Sequence, residues 1–214
     1  MSSKNHSVSL SVIRRLPRYY RFLAELLDDG VTRISSKELS ERMGLTASQI
    51  RQDLNCFGGF GQQGYGYNVE ALEQEIGRIL GLDRQQKTIL LGAGNLGRAI
   101  ITHMDFEKRG FKLIGIFDKN PELVGQKVGE LAISEVTTLS AFCHSEHPTA
   151  AILCIPKDEA FGLANTLVEL GIIGFWNFSH YDLAIQHRGI VVENVHLGDS
   201  LMTLCYRINE SLND

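Results

Sequence analysis

The sequence predicts an α/β chain: an N-terminal winged helix-turn-helix domain, a doubly wound Rossmann domain behind it, and a C-terminal helix. Three observations predict it. Two short helix patterns, each opened by a capping residue, stand about three residues apart and lead into a stretch rich in glycine and aromatics. The segment TILLGAGNLGRAI, Thr88 to Ile100, sets GxGxxG straight after a strand pattern and into a helix. Beyond it, apolar strand runs alternate with helical stretches. These place the domains at 1–80, 81–195 and 196–214.

The first helix pattern is PRYYRFLAELLDDG. Pro17 suits a first helical turn, Tyr20, Leu23, Ala24 and Leu27 recur at helical spacing, and Gly30 ends the run. SSKELSERMG follows, with Ser35 and Glu38 at capping-box spacing and Gly44 as the stop. LTASQIRQDLNCFG comes almost at once, with Thr46 and Gln49 as a second capping box. Near its start this helix carries Ser48, Gln49, Arg51 and Gln52, residue types that reach base edges and phosphates. FGGFGQQGYGYNV holds five glycines between Gly58 and Tyr67, as expected of a β-hairpin wing. Its tip, Gln63, Gly64 and Tyr65, is a second candidate DNA contact. A small helical interaction domain with a Gly-rich linker is the alternative reading of this region.

Charge favours DNA. Residues 1–68 hold nine Lys/Arg against six Asp/Glu, and residues 69–214 hold twelve against nineteen. Only the N-terminal part is suited to a polyanion. The whole chain is 214 residues, 43% hydrophobic and 21% charged, with a pI near 6.0, an ordinary globular composition. It has no apolar run of about 18 residues, and MSSKNHSVSL has no apolar signal core, so a cytoplasmic protein is expected. The four cysteines are scattered without CxxC, and Cys143-His144 with His147 lacks a matching second half for zinc.

Asn68 can cap a connecting helix with Leu72, Ile76, Ile79 and Leu80 on one side. Strands are then expected at KTILLG, KLIGIFD, Leu131–Ile133, TAAILCIP, IIGFWNF and GIVVEN, with helices covering both faces of a parallel sheet. In the phosphate loop Gly92 allows the tight turn, Gly94 lets backbone approach a pyrophosphate, and Gly97 allows close helix–strand packing. Ala93, Asn95 and Leu96 complete the loop and the helix N-terminus. Asp118 lies 21 residues past Gly97, at the end of the next strand, where a carboxylate binds the adenosine ribose and repels a 2′-phosphate. NADH and NAD+ are therefore favoured over the phosphorylated forms, an argument that the neighbouring Lys119 weakens.

An oxidoreductase with an N-terminal interaction module is the competing function. It would need a substrate domain, for which little chain is left, and a proton-transfer group, for which His180-Tyr181-Asp182 is the best candidate. The last stretch, HLGDSLMTLCYRINESL, has Leu197, Leu201, Leu204, Cys205, Ile208 and Leu212 at helical spacing, fit to pack on its own core or on a partner chain.

These elements in this order resemble one family, the redox-sensing transcriptional repressor Rex. The resemblance rests on RRLPRYYRFL, IRQDLNCFGGFGQQGYGYNV, LLGAGNLGRAI with FDKNPELVG, the Ile155-Pro156 of CIPKD, WNFS, and VENVHLGDSL. It implies a homodimer that exchanges C-terminal helices, binds operator DNA when NADH is low, and releases it when NADH binds. It also implies that Ile155 and Pro156 join the cofactor site. Three places depart from the family's pattern. Gln62-Gln63 stand where the wing usually carries Lys or Arg. His103 stands where many members have Tyr, and His196 where the family usually places Asp. With Arg15 of the RLP motif, the last two positions resemble a switch in which the carboxylate changes partners. Their replacement implies either altered NADH coupling or a compensated variant that still senses NADH.

Overall fold

The computed structural model describes residues 8–58, 60–62 and 65–213. The chain divides into two compact units, Met1–Asp83 and Arg84–Asp214.

The first unit runs α1 (Leu10–Ile13), α2 (Leu16–Asp28), β1 (Arg33–Ile34), α3 (Ser36–Met43), α4 (Ala47–Asn55), β2 (Gly61–Gln62), β3 (Gly66–Asn68) and α5 (Val69–Leu80). Ser35 and Glu38 form the full capping box, and Gly44 closes α3 in the left-handed conformation. The next box is only half made. Thr46 accepts from the Gln49 N–H, but the Gln49 side chain turns instead to Asp53, at 2.8 Å. Strands β2 and β3 pair antiparallel as the wing, and β1 adds on the other side of β3. Asn68 accepts from the Ala71 N–H and caps α5.

The core of this unit is lined on α2 by Leu16, Tyr19, Leu23 and Leu26. That stripe lies one row over from the expected Tyr20, Ala24 and Leu27; Tyr20 and Leu27 pack at its margin. The reason is polar. The Tyr19 hydroxyl meets buried Asp53 at 2.9 Å, so its ring can be fully buried without orphaning the O–H.

The second unit runs β4 (Gln86–Leu91), α6 (Asn95–His103), β5 (Phe111–Asp118), β6 (Lys127–Val128), β7 (Leu131–Glu135), α7 (Leu139–Glu146), β8 (Ala150–Leu153), α8 (Lys157–Glu169), β9 (Gly174–Asn177), α9 (Leu183–Gln186), β10 (Val191–Asn194) and α10 (Leu197–Asn213). Its sheet has the order β10-β9-β8-β4-β5-β7-β6, parallel except for β6. The short antiparallel edge β6 was not signalled by the sequence, because two residues carry no periodicity. The order reverses at β4, so a crevice opens beyond its carboxyl end, between β5 and β8.

One sheet face packs under α7, α8 and α9, with Ile89, Leu91, Leu153 and Phe175 in its core. On the other face Leu90, Ile116 and Ile152 pack with Ile100 of α6. Helices lie over both faces, as expected, with α6 covering this one in part. A concavity of about 450 Å³ lies there, lined by Thr88, Met104, Phe111, Ala150, Trp176 and Val191 among others. Helix α10 has no buried residue; Leu197, Leu201, Leu204, Ile208 and Leu212 are all exposed.

Candidate functional site

In the second unit the fingerprint glycines have the geometry that a phosphate-binding turn requires. Gly92 has φ +96°, and a Cβ there would come 2.4 Å from the Cys154 carbonyl oxygen. A Cβ on Gly97 would come 2.0 Å from the Gly92 oxygen. A Cβ on Gly94 would meet nothing within 4 Å, so this is the open side of the turn. Gly94 also caps α6 without any side-chain acceptor. The first N–H groups of a helix have no intrahelical partner, and those of Asn95, Leu96 and Gly97 belong to this first turn. The arrangement fits a dinucleotide's pyrophosphate, which backbone N–H groups and the positive helix end would hold.

Asp118 is built into the same turn. Its carboxylate accepts from the Ala93 N–H at 2.6 Å and the Asn120 N–H at 2.8 Å. Both oxygens keep further acceptor capacity for a diol. Arg98 braces the loop from below, donating to the Ala93 carbonyl and to Gln126. A cavity of about 560 Å³ opens here, bounded by Gly92, Gly94, Asp118 and Lys119 on one side and by Cys154, Ile155, Pro156 and Glu159 on the other. The Lys119 ammonium pairs with Glu159 at 2.7 Å. The thiol of Cys154 is pushed up to about 12 by burial, so it sits there as a neutral, apolar wall.

The first unit presents Ser48, Arg51 and Gln52 of α4 to solvent, with Tyr65 of the wing 70% exposed. Arg51 donates to the Ser36 hydroxyl at 3.0 Å. Gln49 is turned inward to Asp53. Gln63 and Gly64 lie outside the described residues. The sequence reading missed Asp53, whose side chain is 1% exposed. It accepts from Arg15 twice, Nε at 2.6 Å and Nη2 at 2.8 Å, and from Tyr19 and Gln49. Burial pushes the Asp53 pKa up, but the hydrogen bonds from Arg15, Gln49 and Tyr19 outweigh it and hold the carboxyl below its usual range. A charged residue at a helical core position was the available signal.

The structure describes each of the three candidate switch residues within its own unit. Arg15 is held by Asp53. His103 is exposed in the last turn of α6. His196 stacks on His180, ring centroids 4.7 Å apart, and its Nδ1 lies 3.3 Å from Asp199. In the sequence His180 stands out only as part of a candidate catalytic triplet. Buried Asn177 sets its loop by donating to the Tyr181 carbonyl and to Asn194 and accepting from Ser179, which ties the carboxyl ends of β9 and β10 together. Among the described residues no group of three His, Cys, Asp or Glu side chains is placed to hold a metal ion, and no helix is long and apolar enough to cross a membrane.

A winged helix-turn-helix unit joined to a Rossmann unit with a nucleotide crevice defines a class: DNA-binding folds with a nucleotide-responsive partner fold. Comparison with known proteins narrows it. Residues 7–55 match the family model "Putative DNA-binding protein N-terminus", and residues 83–181 match "CoA binding domain". The chain is 58% identical to the redox-sensing transcriptional repressor Rex of Caldanaerobacter subterraneus subsp. tengcongensis, over 97% of this chain and 92% of that one. It is 53% identical to Rex of Clostridioides difficile, over 96% and 98%. Among solved structures it resembles RSP in complex with β-NAD+ and operator DNA, with TM-score 0.89 and 56% identity over 95% of this chain and 94% of that chain. RSP in complex with β-NADH gives TM-score 0.87 and 53% identity over 97% of each chain. The chain belongs to the Rex family of redox-sensing transcriptional repressors.

Proposed function

We propose that the chain is a DNA-binding transcriptional repressor that reads the NADH/NAD+ ratio, holding operator DNA when NADH is low and releasing it when NADH binds. The carrying observation is the crevice at the reversal of strand order, where an open glycine turn and a preorganised Asp118 stand in one site. Similarity to RSP, solved with each form of the dinucleotide, supports the same ligand here. In this reading the backbone of Gly92 to Gly97 holds the pyrophosphate, Asp118 accepts from the ribose hydroxyls, Lys119 stands beside it, and Ile155 and Pro156 form the apolar wall. The dinucleotide is a signal rather than a reagent, and the protein is not an enzyme.

Operator DNA is read by Ser48, Arg51 and Gln52 from α4 in the major groove, with the wing residues Gln63, Gly64 and Tyr65 beside it. Gln49 positions the helix through Asp53. The working unit is a homodimer that exchanges α10. Support comes from the exposed apolar stripe of that helix and from the uncovered apolar sheet face that a partner's helix would fill. Function on chromosomal DNA places the protein in the cytoplasm.

The test is a gel shift on an AT-rich inverted repeat, with and without NADH, NAD+ and NADPH. Retention of the repeat without NADH and its release by NADH are expected. NADH binding with no affinity for any DNA duplex would favour the oxidoreductase reading instead.

A further inference from the structure

The Lys119–Glu159 pair is not accounted for by dinucleotide binding as described above. Lys119 follows Asp118 at the end of β5, and Glu159 lies in the first turn of α8. Both line the same cavity, and their 2.7 Å contact spans its two walls. Lys119 is largely exposed at 66%, and Glu159 is more covered at 28%. An acid in the first turn of a helix is favoured by the helix dipole, which explains the residue type. It does not explain why the carboxylate holds an ammonium that lines the cavity beside Asp118.

The chemistry of the two possible ligands makes the difference. NADH offers neutral ribose hydroxyls at this end, and NADPH carries a 2′-phosphate there. A lysine beside the ribose-binding acid is the group that would welcome that phosphate. Paired with Glu159, its charge is already compensated, and a second carboxylate stands near the place the phosphate would occupy.

We propose that Glu159 is a specificity-determining residue that excludes NADPH by occupying Lys119, sharing with Asp118 the discrimination between the two cofactors. The proposal rests on the dinucleotide reading of the crevice. Asp118 rejects the phosphate by repulsion and by claiming the hydroxyls. Glu159 rejects it by withholding the cation. The two contributions are separable because they involve different contacts.

Calorimetric titration of the full-length protein with NADH and with NADPH tests this, using Glu159→Gln, Lys119→Ala, the double variant and Asp118→Ala. Glu159→Gln should bind NADPH roughly five- to tenfold more tightly, with NADH changed by less than about twofold, as suits one partly exposed ion pair and one removed like charge. The gain should shrink as salt is raised and fall in the double variant to the small part owed to the removed like charge, because the larger part requires the freed ammonium. Unchanged NADPH affinity in Glu159→Gln, while Asp118→Ala gains NADPH affinity, overturns the role of Glu159 and leaves the dinucleotide site standing. A gain that persists undiminished without Lys119 overturns the withheld-cation mechanism. A parent protein that binds neither cofactor overturns the dinucleotide reading and this proposal with it.

Discussion

In the dinucleotide crevice the groups that would meet the pyrophosphate are backbone N–H groups, and the decisive side chains of that turn are absent ones. A methyl on Gly97 would sit 2.0 Å from the Gly92 oxygen, and a methyl on Gly92 would sit 2.4 Å from the Cys154 oxygen. In the recognition helix the opposite holds. The groups that would meet DNA are side chains, and the same residue types also hold the helix in place. Gln49 is spent on Asp53, while Arg51 and Gln52, within one turn of it on the same helix, face solvent. A site made of backbone is announced by residues that cannot be anything else. A site made of polar side chains shares its vocabulary with its own scaffold.

The sharpest way to break this comparison is at Gly97. Gly97→Ala should push the turn away from the helix by a distance on the order of 1 Å, and such displacements cost about a hundredfold in a preorganised site. Titration should show NADH affinity lost by about that factor or more. The operator should still be bound and should no longer be released by NADH. Near-parental NADH binding would mean that the turn can relax, and the backbone account of the cradle would fail.

Asp53 tests the scaffold side. Its Oδ1 accepts from Arg15 and Gln49, and its Oδ2 from Arg15 and Tyr19. In Asp53→Asn the amide N–H₂ must face at least one of the Arg15 donors whichever way it is turned. Tyr19 could rotate its hydroxyl to accept, but a guanidinium cannot accept. The N-terminal unit should lose about 2–4 kcal/mol in urea unfolding, because partly buried donors are left facing a donor at the fully buried position 53. The pH dependence has a definite sign. A carboxyl whose folded pKa is depressed adds stability that is present above its unfolded value, near 4, and is lost as pH falls through the folded value. Acid unfolding of this unit should therefore steepen below about pH 4 in the parent and flatten in Asp53→Asn. An unfolding curve in which the two proteins run parallel at every pH would remove Asp53 from the list of groups that hold α4.

Arg51→Ala carries a smaller effect. It should weaken operator binding by about 1–3 kcal/mol if the side chain reads a guanine, and should leave binding to random DNA closer to the parent. The present Ser36 contact must then be exchanged for the base. Equal losses on operator and random DNA would reassign Arg51 to the phosphates.

Much of this molecule is legible in the sequence alone. The capping box at Ser35, the left-handed Gly44, the Asn68 cap and the fingerprint glycines all follow from local chemistry that acts within a few residues. The resemblance to Rex added the homodimer, the release of operator by NADH and the switch positions to watch. What stayed hidden was decided at longer range. The buried stripe of α2 shifted by one row because Tyr19 finds an acceptor 34 residues away. Lys119 meets Glu159 across the crevice, which no spacing reveals. The bare sheet face is invisible in strands whose apolar runs read the same whether a helix of the same chain or of another covers them.

The last test compares His196 with the regions whose partners are fixed. His196 faces His180 from the β9 loop and Asp199 from the first turn of α10. In the switch that the family resemblance implies, a carboxylate at this position changes partners, and histidine supplies ring nitrogens in its place. His196→Asp should therefore strengthen NADH-driven release of operator. The change is bounded by the coupling free energy itself, typically about 1–3 kcal/mol, and should amount to less than about tenfold. Operator affinity measured with and without saturating NADH, in the parent and in the variant, checks it. A variant that responds to NADH as the parent does would place the histidine stack outside the switch and leave it as packing at the root of α10.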